Sequence, residues 1–296
     1  MGSSEHIQER LVIPETLPSP GKVALLLNRV LRPETLQWAF PESGLDRFIY
    51  SEIDPLLYIK QGTVPAIREK YHRMKDRPTI VLSIIGPSTG GKTTIRDRLR
   101  QTDIFGSYTQ IVTTVTRRPR TEENQQAAIE PGKGDYNFVP KQTFHQMVEQ
   151  GKFIEFLSHG TRLTDTTFYG TTEKEIVKAL EDDKKVNDKP RLIFLPVNKD
   201  GVAPVKQWID QHYPDVPFLT VSVIPGVTFL ELMHRIIEKR GTTQAFGWRI
   251  PEAYSELESA GELADVLVRN PIEPNGPVSA SKALEKLFRA IIAPKE

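Results

Sequence analysis

The chain has 296 residues, 38% of them hydrophobic and 26% charged, and its 39 basic and 38 acidic side chains leave a net charge of +1. That balance argues against a general attraction to nucleic acid or to an acidic membrane, and the lack of cysteine excludes disulfides, thiolate catalysis and Cys-ligated zinc. No apolar run approaches the roughly 18 residues that span a bilayer, and no secretory signal is visible, so we expect a cytoplasmic protein.

Residues 1–77 are predicted to form an N-terminal extension or small subdomain. Positions 22–31 and 65–76 suit helices, and 47–60 mixes apolar and aromatic residues. No chemical motif occurs in this part. A structural brace is the expected role, with an oligomer contact or a regulatory cap as alternatives, and the sequence does not assign an oligomeric state.

From residue 79 onward, apolar strands alternate with helical segments. The predicted strands are 79–86, 110–116, 191–197, 218–224 and 264–270, and the predicted helices are 92–101, 142–150, 201–212, 227–239 and 280–292. Continuous apolar strands separated by helices indicate a parallel sheet that is covered on both faces. Residues 117–171 break the alternation and are predicted to be an insertion. The fold class is therefore α/β with three layers.

A phosphate-binding loop is predicted at GPSTGGKT (86–93), which fits G-x-x-x-x-G-K-[ST] between a strand and a helix. Its glycines let backbone N–H groups turn toward phosphate oxygens, and the helix N-terminus adds free donors. Lys92 is expected to reach the outer phosphates, and the Thr93 hydroxyl to ligate Mg²⁺, the expected cofactor. The predicted triphosphate contacts are Gly86, Pro87, Ser88, Thr89, Gly90, Gly91, Lys92, Thr93 and Thr94.

Polar residues in the predicted insertion suggest a second ligand site. TVTRRPR (114–120) is rich in arginine, whose planar fork suits phosphate, although a solvated basic loop is the alternative. Glu155, in the apolar run FIEF, is costly to bury unless it is paired. It either accepts from a base with adjacent N–H donors or faces outward from a half-exposed strand. FYGTT (168–172) is either part of this site or a strand end before a helix cap.

These segments occur in the order and spacing of guanylate kinase, and residues 79–293 resemble that family. The segments that carry the resemblance are GPSTGGKT, TVTRRPR, GDYNFV (134–139), FIEF, FYGTT and EKRG (238–241). The resemblance implies a P-loop NTPase fold with an inserted monophosphate-binding subdomain at about 117–171 and a lid at about 235–249, all within a domain spanning 78–296. It implies ATP as donor and GMP as acceptor.

The resemblance also implies roles for single residues. Arg117, Arg120, Tyr136 and Tyr169 match ligands of the GMP phosphate, and Glu155 matches the carboxylate that reads the guanine edge. Thr113 and Thr171 match hydroxyls near the base. In the lid, Arg240 and Arg249 match arginines that screen the transferred phosphoryl group, and Arg235 matches with a spacing one residue too long. These three arginines and Lys92 are the expected catalytic residues. Asn270 matches a residue near adenine.

The chain departs from the family pattern at the strand RLIFLPVNKDG. Two aspartates are usual there, and the matched positions are Pro196 and Asn198, so acidic groups near the metal and the acceptor are missing. Asn198 still offers a hydrogen bond to the acceptor. The loop after Arg120 is longer than usual, HGTRLTDTT (159–167) replaces a shorter turn, and the lid segment 241–248 is shorter. A kinase for another phosphorylated acceptor and a non-catalytic binding module therefore stay as alternatives.

Overall fold

The structure is a computed structural model. It describes residues 47–74, 78–119, 136–159, 166–182, 189–227, 229–241, 249–271 and 276–294. The predicted helix 22–31 and the predicted site residue Arg120 lie outside these ranges. Among the described residues, no helix is both long and apolar enough to cross a membrane.

Strands and helices alternate along most of the described chain. The strands are β1 Phe48–Tyr50, β2 Leu57–Lys60, β3 Thr79–Ile85, β4 Ser107–Gln110, β5 Thr113–Val115, β6 Tyr136–Phe138, β7 Phe153–His159, β8 Thr167–Thr172, β9 Arg191–Leu195, β10 Phe218–Pro225 and β11 Val266–Asn270. The helices are α1 Thr63–Arg73, α2 Lys92–Arg100, α3 Lys141–Glu149, α4 Glu173–Glu181, α5 Lys199–His212, α6 Phe229–Arg240, α7 Ile250–Glu258, α8 Ala260–Leu263 and α9 Gly276–Ile292.

The larger sheet has the order β1-β2-β11-β10-β3-β9-β4. Its last five strands are mutually parallel, and every residue of β3 and β9 is buried. One face packs on α1, α2 and α9, and the other on α4 and α5. Helices on both faces explain why these strands are continuous apolar runs rather than alternating ones. The predicted three-layer α/β fold is confirmed.

The first two strands extend this sheet in the opposite direction. Strand β2 pairs antiparallel with β11, and β1 pairs antiparallel with β2. Leu57 of β2 and Ile67 and Tyr71 of α1 are buried in the same core cluster as α2 and α9. Residues 47–74 thus add two strands and a helix to the larger sheet and its core.

The strand predicted over 110–116 is wrong as a single element. Residues Ser107–Gln110 form β4 in the larger sheet, and Thr113–Val115 form β5 in a second sheet of order β6-β5-β8-β7. Buried Ile111 still donates its N–H to Phe194 O at 2.9 Å, after which the chain leaves the larger sheet. Strand β4 is polar and half-buried, but the residues that follow it, 111–116, are all β-branched and run without a break across the junction, so the sequence pattern does not reveal the crossing between sheets.

Candidate active site

The predicted phosphate loop connects β3 to α2, as its motif requires. Gly86 has φ +127°, and a Cβ there would lie 2.6 Å from Val223 O. Gly91 has φ +98°, and its Cβ would lie 2.5 Å from Asn270 Nδ2. Only glycine combines these backbone angles with such close approach. The turn brings backbone and helix N-terminus to the carboxyl edge of the sheet, where a phosphate can bind.

Two side chains hold the loop in place. Asn270, at the end of β11, donates from Nδ2 to Gly90 O at 2.8 Å. The Lys92 ammonium donates to Gly86 O and to Pro87 O, the latter at 3.0 Å. Burial lowers the pKa of Lys92, and the nearby carboxylates of Glu256 and Glu252 oppose that effect. Asn270 therefore braces the phosphate loop in this structure, and its predicted place beside adenine remains a prediction.

A cavity of about 430 Å³ opens over the loop, and we call it the phosphate cavity. It brings together most of the predicted triphosphate contacts and the predicted catalytic Arg249. Its lining residues are Ile85, Pro87, Ser88, Thr89, Gly90, Gly91, Lys92, Thr93, Thr94, Val197, Asn198, Lys239, Arg249, Glu252 and Glu256. Sequence reasoning missed Lys239, Glu252 and Glu256. The spacing of Arg249, Glu252 and Glu256 places them on one face of a helix, which is the signal that could have found them.

The carboxylates of Glu252 and Glu256 therefore line a cavity in which the phosphate loop is expected to bind anions. Glu252 forms an ion pair with Arg249 at 3.1 Å. Glu256 is only 6% exposed. Burial raises the pKa of Glu256 to about 7, although attraction to Lys92 works in the opposite direction.

The other predicted lid arginines are not placed in the cavity. Arg235, on α6, is exposed and does not line it. Helix α6 ends at Arg240, whose side chain lies outside the described part of the structure, as do residues 242–248. Catalytic roles for both arginines remain predictions. Lys239, adjacent to Arg240, is the described cation of α6 that reaches the cavity.

The second sheet gathers the predicted acceptor ligands on one face. Thr113 is opposite Tyr136, Val115 is opposite Tyr169, and Glu155 is opposite Thr171. Because side chains alternate along a strand and cross-strand partners share a face, all five predicted ligands lie on the same side. The other side carries the stacked rings of Phe144 and Phe153, at 4.5 Å between centroids. The sheet thus has an apolar face against α3 and a polar ligand face.

Glu155 is the most constrained residue of this polar face. Its Oε1 accepts from the buried Thr171 hydroxyl at 2.5 Å. Burial is the main cause that raises its pKa to about 7, the hydrogen bonds from Thr171 act against it, and Asp200 adds repulsion. A carboxylate held in this way has acceptor capacity left for a ligand.

Arg117 continues the ligand face beyond the end of β5. Its guanidinium lies 4.8 Å from the centroid of the Tyr136 ring and 5.3 Å from that of Phe138. These contacts hold a cation beside the Tyr136 hydroxyl, which suits an oxyanion ligand. The structure therefore brings Arg117 and Tyr136 together as predicted, whereas Arg120 lies outside the described residues.

A second cavity, of about 790 Å³, lies between β7 and α5. We call it the acceptor cavity because Glu155 lines it, together with Asp200 and Gly201 at the start of α5. The other described residues predicted to bind the acceptor are not among its lining residues: Thr113, Arg117, Tyr136, Tyr169, Thr171 and Asn198. Gly201 lets the helix start lie close to this carboxylate, since a Cβ there would make a tight contact of 3.0 Å with Glu155 Oε2. Asn198 lines the phosphate cavity three residues earlier. Neighbouring residues at the beginning of α5 thus line the two cavities.

Asn198 itself caps that helix. Its Oδ1 accepts from the backbone N–H groups of Asp200 and Gly201, both at 3.1 Å. Asn is a strong N-cap residue because this bond satisfies donors that the helix leaves open. Its predicted contact with the acceptor remains a prediction.

The oxygen groups of the phosphate cavity fit the chemistry of Mg²⁺. The Thr93 hydroxyl and the carboxylates of Glu252 and Glu256 line the cavity. Mg²⁺ prefers oxygen ligands and is usually bound by one or two carboxylates, waters and substrate phosphates. Within the described residues, no group of three or more His, Asp or Glu side chains could hold a metal by itself. The donor set thus suits a metal shared with a nucleotide.

Comparison with known proteins agrees with this geometry. The family model described as guanylate kinase matches residues 75–273, which include both cavities. The chain is 29% identical over 216 residues to a guanylate kinase of Wolinella succinogenes, covering 72% of this chain and 86% of that protein. It is 26% identical over 223 residues to a guanylate kinase of Clostridioides difficile, covering 73% of this chain and 95% of that protein.

Proposed function

Because this chain belongs to the guanylate kinase family, we propose that it transfers the terminal phosphoryl group of ATP to GMP, which gives ADP and GDP. The observation that carries the proposal is that neighbouring residues at the start of α5 line two cavities. The phosphate loop lines one, and the buried Glu155 lines the other. This arrangement suits a reaction in which two nucleotides meet through their phosphates.

The ligand face of the second sheet supports guanine as the acceptor base. An ionised Glu155 offers acceptors to the N1 and N2 hydrogens of guanine, and a threonine hydroxyl can donate to O6. The donor pattern of adenine is reversed at its six-position. A buried carboxylate left without its donors is costly, so such a site discriminates strongly against the wrong base.

The chemistry requires no nucleophilic side chain. An oxygen of the GMP phosphate attacks the terminal phosphorus of ATP, and the bond from that phosphorus to the bridging oxygen breaks as ADP leaves. Lys92, Lys239 and Arg249 supply positive charge where negative charge spreads during transfer. Mg²⁺, when bound, neutralises phosphate charge and orients the triphosphate. The chain's own contribution is to position the two phosphates and to screen their charge.

An acceptor panel tests the proposal. ADP release is followed with ATP and, in turn, GMP, dGMP, AMP, UMP or ribose 5-phosphate. We expect turnover with the guanine nucleotides and at least about 100-fold lower kcat/KM with AMP, since adenine leaves the carboxylate unpaired. Turnover confined to the sugar phosphate would assign another acceptor. GMP binding without any turnover would indicate a binding module.

A further inference from the structure

We propose that Glu256 of α7 is the acidic residue that faces the nucleotide-bound divalent cation in this chain, in place of the carboxylates missing from the end of β9. The inference rests on the proposed function, because the cation arrives with the triphosphate. It places on helix α7 the acidic group near the metal that the family pattern places at the end of strand β9.

The first observation is that Glu256 is buried without a described hydrogen bond or ion pair, and Lys92 attracts it only from a longer distance. Its side chain is 6% exposed and lines the phosphate cavity. Among the residues that the structure describes, none forms an ion pair with its carboxylate or donates a hydrogen bond to it. A buried carboxylate without partners is costly. The position is therefore explained most simply by a cation that is present only in the loaded protein.

The second observation is that the described lining residues just after β9, Val197 and Asn198, include no acid. The side chain of Pro196, just after β9, has no ligand atom, and the Asn198 side-chain oxygen already accepts from two backbone N–H groups of α5. Glu252 is paired with Arg249 at 3.1 Å. Of the two carboxylates on the described wall of the cavity, Glu256 is thus the one left for a cation.

The negative charge of the triphosphate distinguishes a role of Glu256 in cation binding from a purely structural role. A triphosphate brings several negative charges, which would be repelled by a carboxylate at the same site. The repulsion becomes attraction only if a divalent cation lies between them, either in direct contact or through a bound water. A carboxylate that served only to pair with Lys92 would weaken the main cation of the phosphate loop and gain nothing from the metal.

The test measures the metal directly rather than turnover. Mn²⁺ binding to the complex of the full chain with the non-hydrolysable β,γ-imido analogue of ATP is followed by electron paramagnetic resonance. We expect Glu256→Gln to lower the affinity for Mn²⁺ by about 10- to 100-fold, the usual cost of losing a carboxylate that supports a metal site. Affinity for the metal-free analogue should stay equal or rise, because one repelling charge is removed.

Glu258→Gln is the matched control, since Glu258 lies on the same helix with an exposed side chain. This variant should leave Mn²⁺ affinity within about twofold of wild type, because the loss of one exposed charge changes interaction energies only slightly. Glu256→Ala is measured beside Glu256→Gln, so that a folding defect in one variant does not decide the result. Unchanged Mn²⁺ affinity in the folded Glu256 variants, or weaker binding of the metal-free analogue alone, overturns the inference. Failure of the wild type to bind the analogue overturns the proposed function instead.

Discussion

At the scale of single residues, Glu155 shows a conflict between function and stability. Its pKa is raised to about 7, mainly by burial, whereas the unfolded chain should titrate near the ordinary value of about 4.3. The folded state therefore binds the proton more tightly than the unfolded state does. Ionising Glu155 therefore destabilises the fold, and this cost in the free energy of unfolding is absent at pH 4, grows as the pH rises toward 7 and is complete above it.

Glu155→Gln should remove this cost while keeping the shape and the hydrogen bond from Thr171. We expect the free energy of unfolding to exceed that of wild type by about 2–3 kcal/mol at pH 8 and by less than about 1 kcal/mol at pH 5. Urea unfolding at the two pH values measures the difference. Glu149→Gln, an exposed change at the end of α3, should show no such dependence on pH. An equal increase in the free energy of unfolding at both pH values would contradict the raised pKa of Glu155.

At the scale of elements, residues at the start of α5 line both cavities, and the side chain of Asn198 caps this end of the helix. Asn198→Ala removes the oxygen that accepts from Asp200 N and Gly201 N, and should cost about 1 kcal/mol of stability. Asn198→Asp keeps that acceptor at a helix N-terminus but replaces the amide that donates to Asp200 Oδ2 at 3.3 Å with a like charge, so its midpoint should lie between those of alanine and wild type. Urea midpoints at pH 7 compare the variants. Equal midpoints for alanine and wild type would show that the cap contributes nothing.

Elements that depend on local pattern were predictable from the sequence, and elements that depend on distant pairing were not. The phosphate loop follows from its own eight residues and their flanking periodicity. The run 110–116 predicts one strand because residues 111–116 are all β-branched, whereas the pairing of β4 with β9 and of β5 with β8 places these strands in different sheets. Glu256 was missed for a related reason. Helical spacing places Glu256 on the same face as Arg249, but its approach to Lys92 depends on how α7 packs over the loop, which spacing alone does not encode.

At the scale of the whole molecule, residues 47–74 share one core with the nucleotide-binding part. Strand β2 occupies the sheet beside β11, whose last residue, Asn270, braces the phosphate loop. Further links are the ion pairs Lys70–Asp210, at 2.7 Å, and Lys286–Asp54, at 2.8 Å. Since such partly exposed pairs contribute little, the buried apolar contacts must hold this segment in place. We therefore propose that it folds together with the rest of the described chain rather than as a separate unit.

Two truncations of apolar side chains test that proposal. Leu57, on β2, is fully buried in the main core cluster, whereas Ile49, on neighbouring β1, is 56% exposed. Leu57→Ala should cost about 2–5 kcal/mol, and Ile49→Ala less than about 1 kcal/mol. Unfolding in urea is followed both by far-ultraviolet circular dichroism and by binding of a fluorescent ATP analogue. If residues 47–74 share the core, Leu57→Ala shifts both curves together, because the nucleotide site unfolds with the sheet. Two separate transitions, with nucleotide binding retained after the first, would mean that the segment folds on its own.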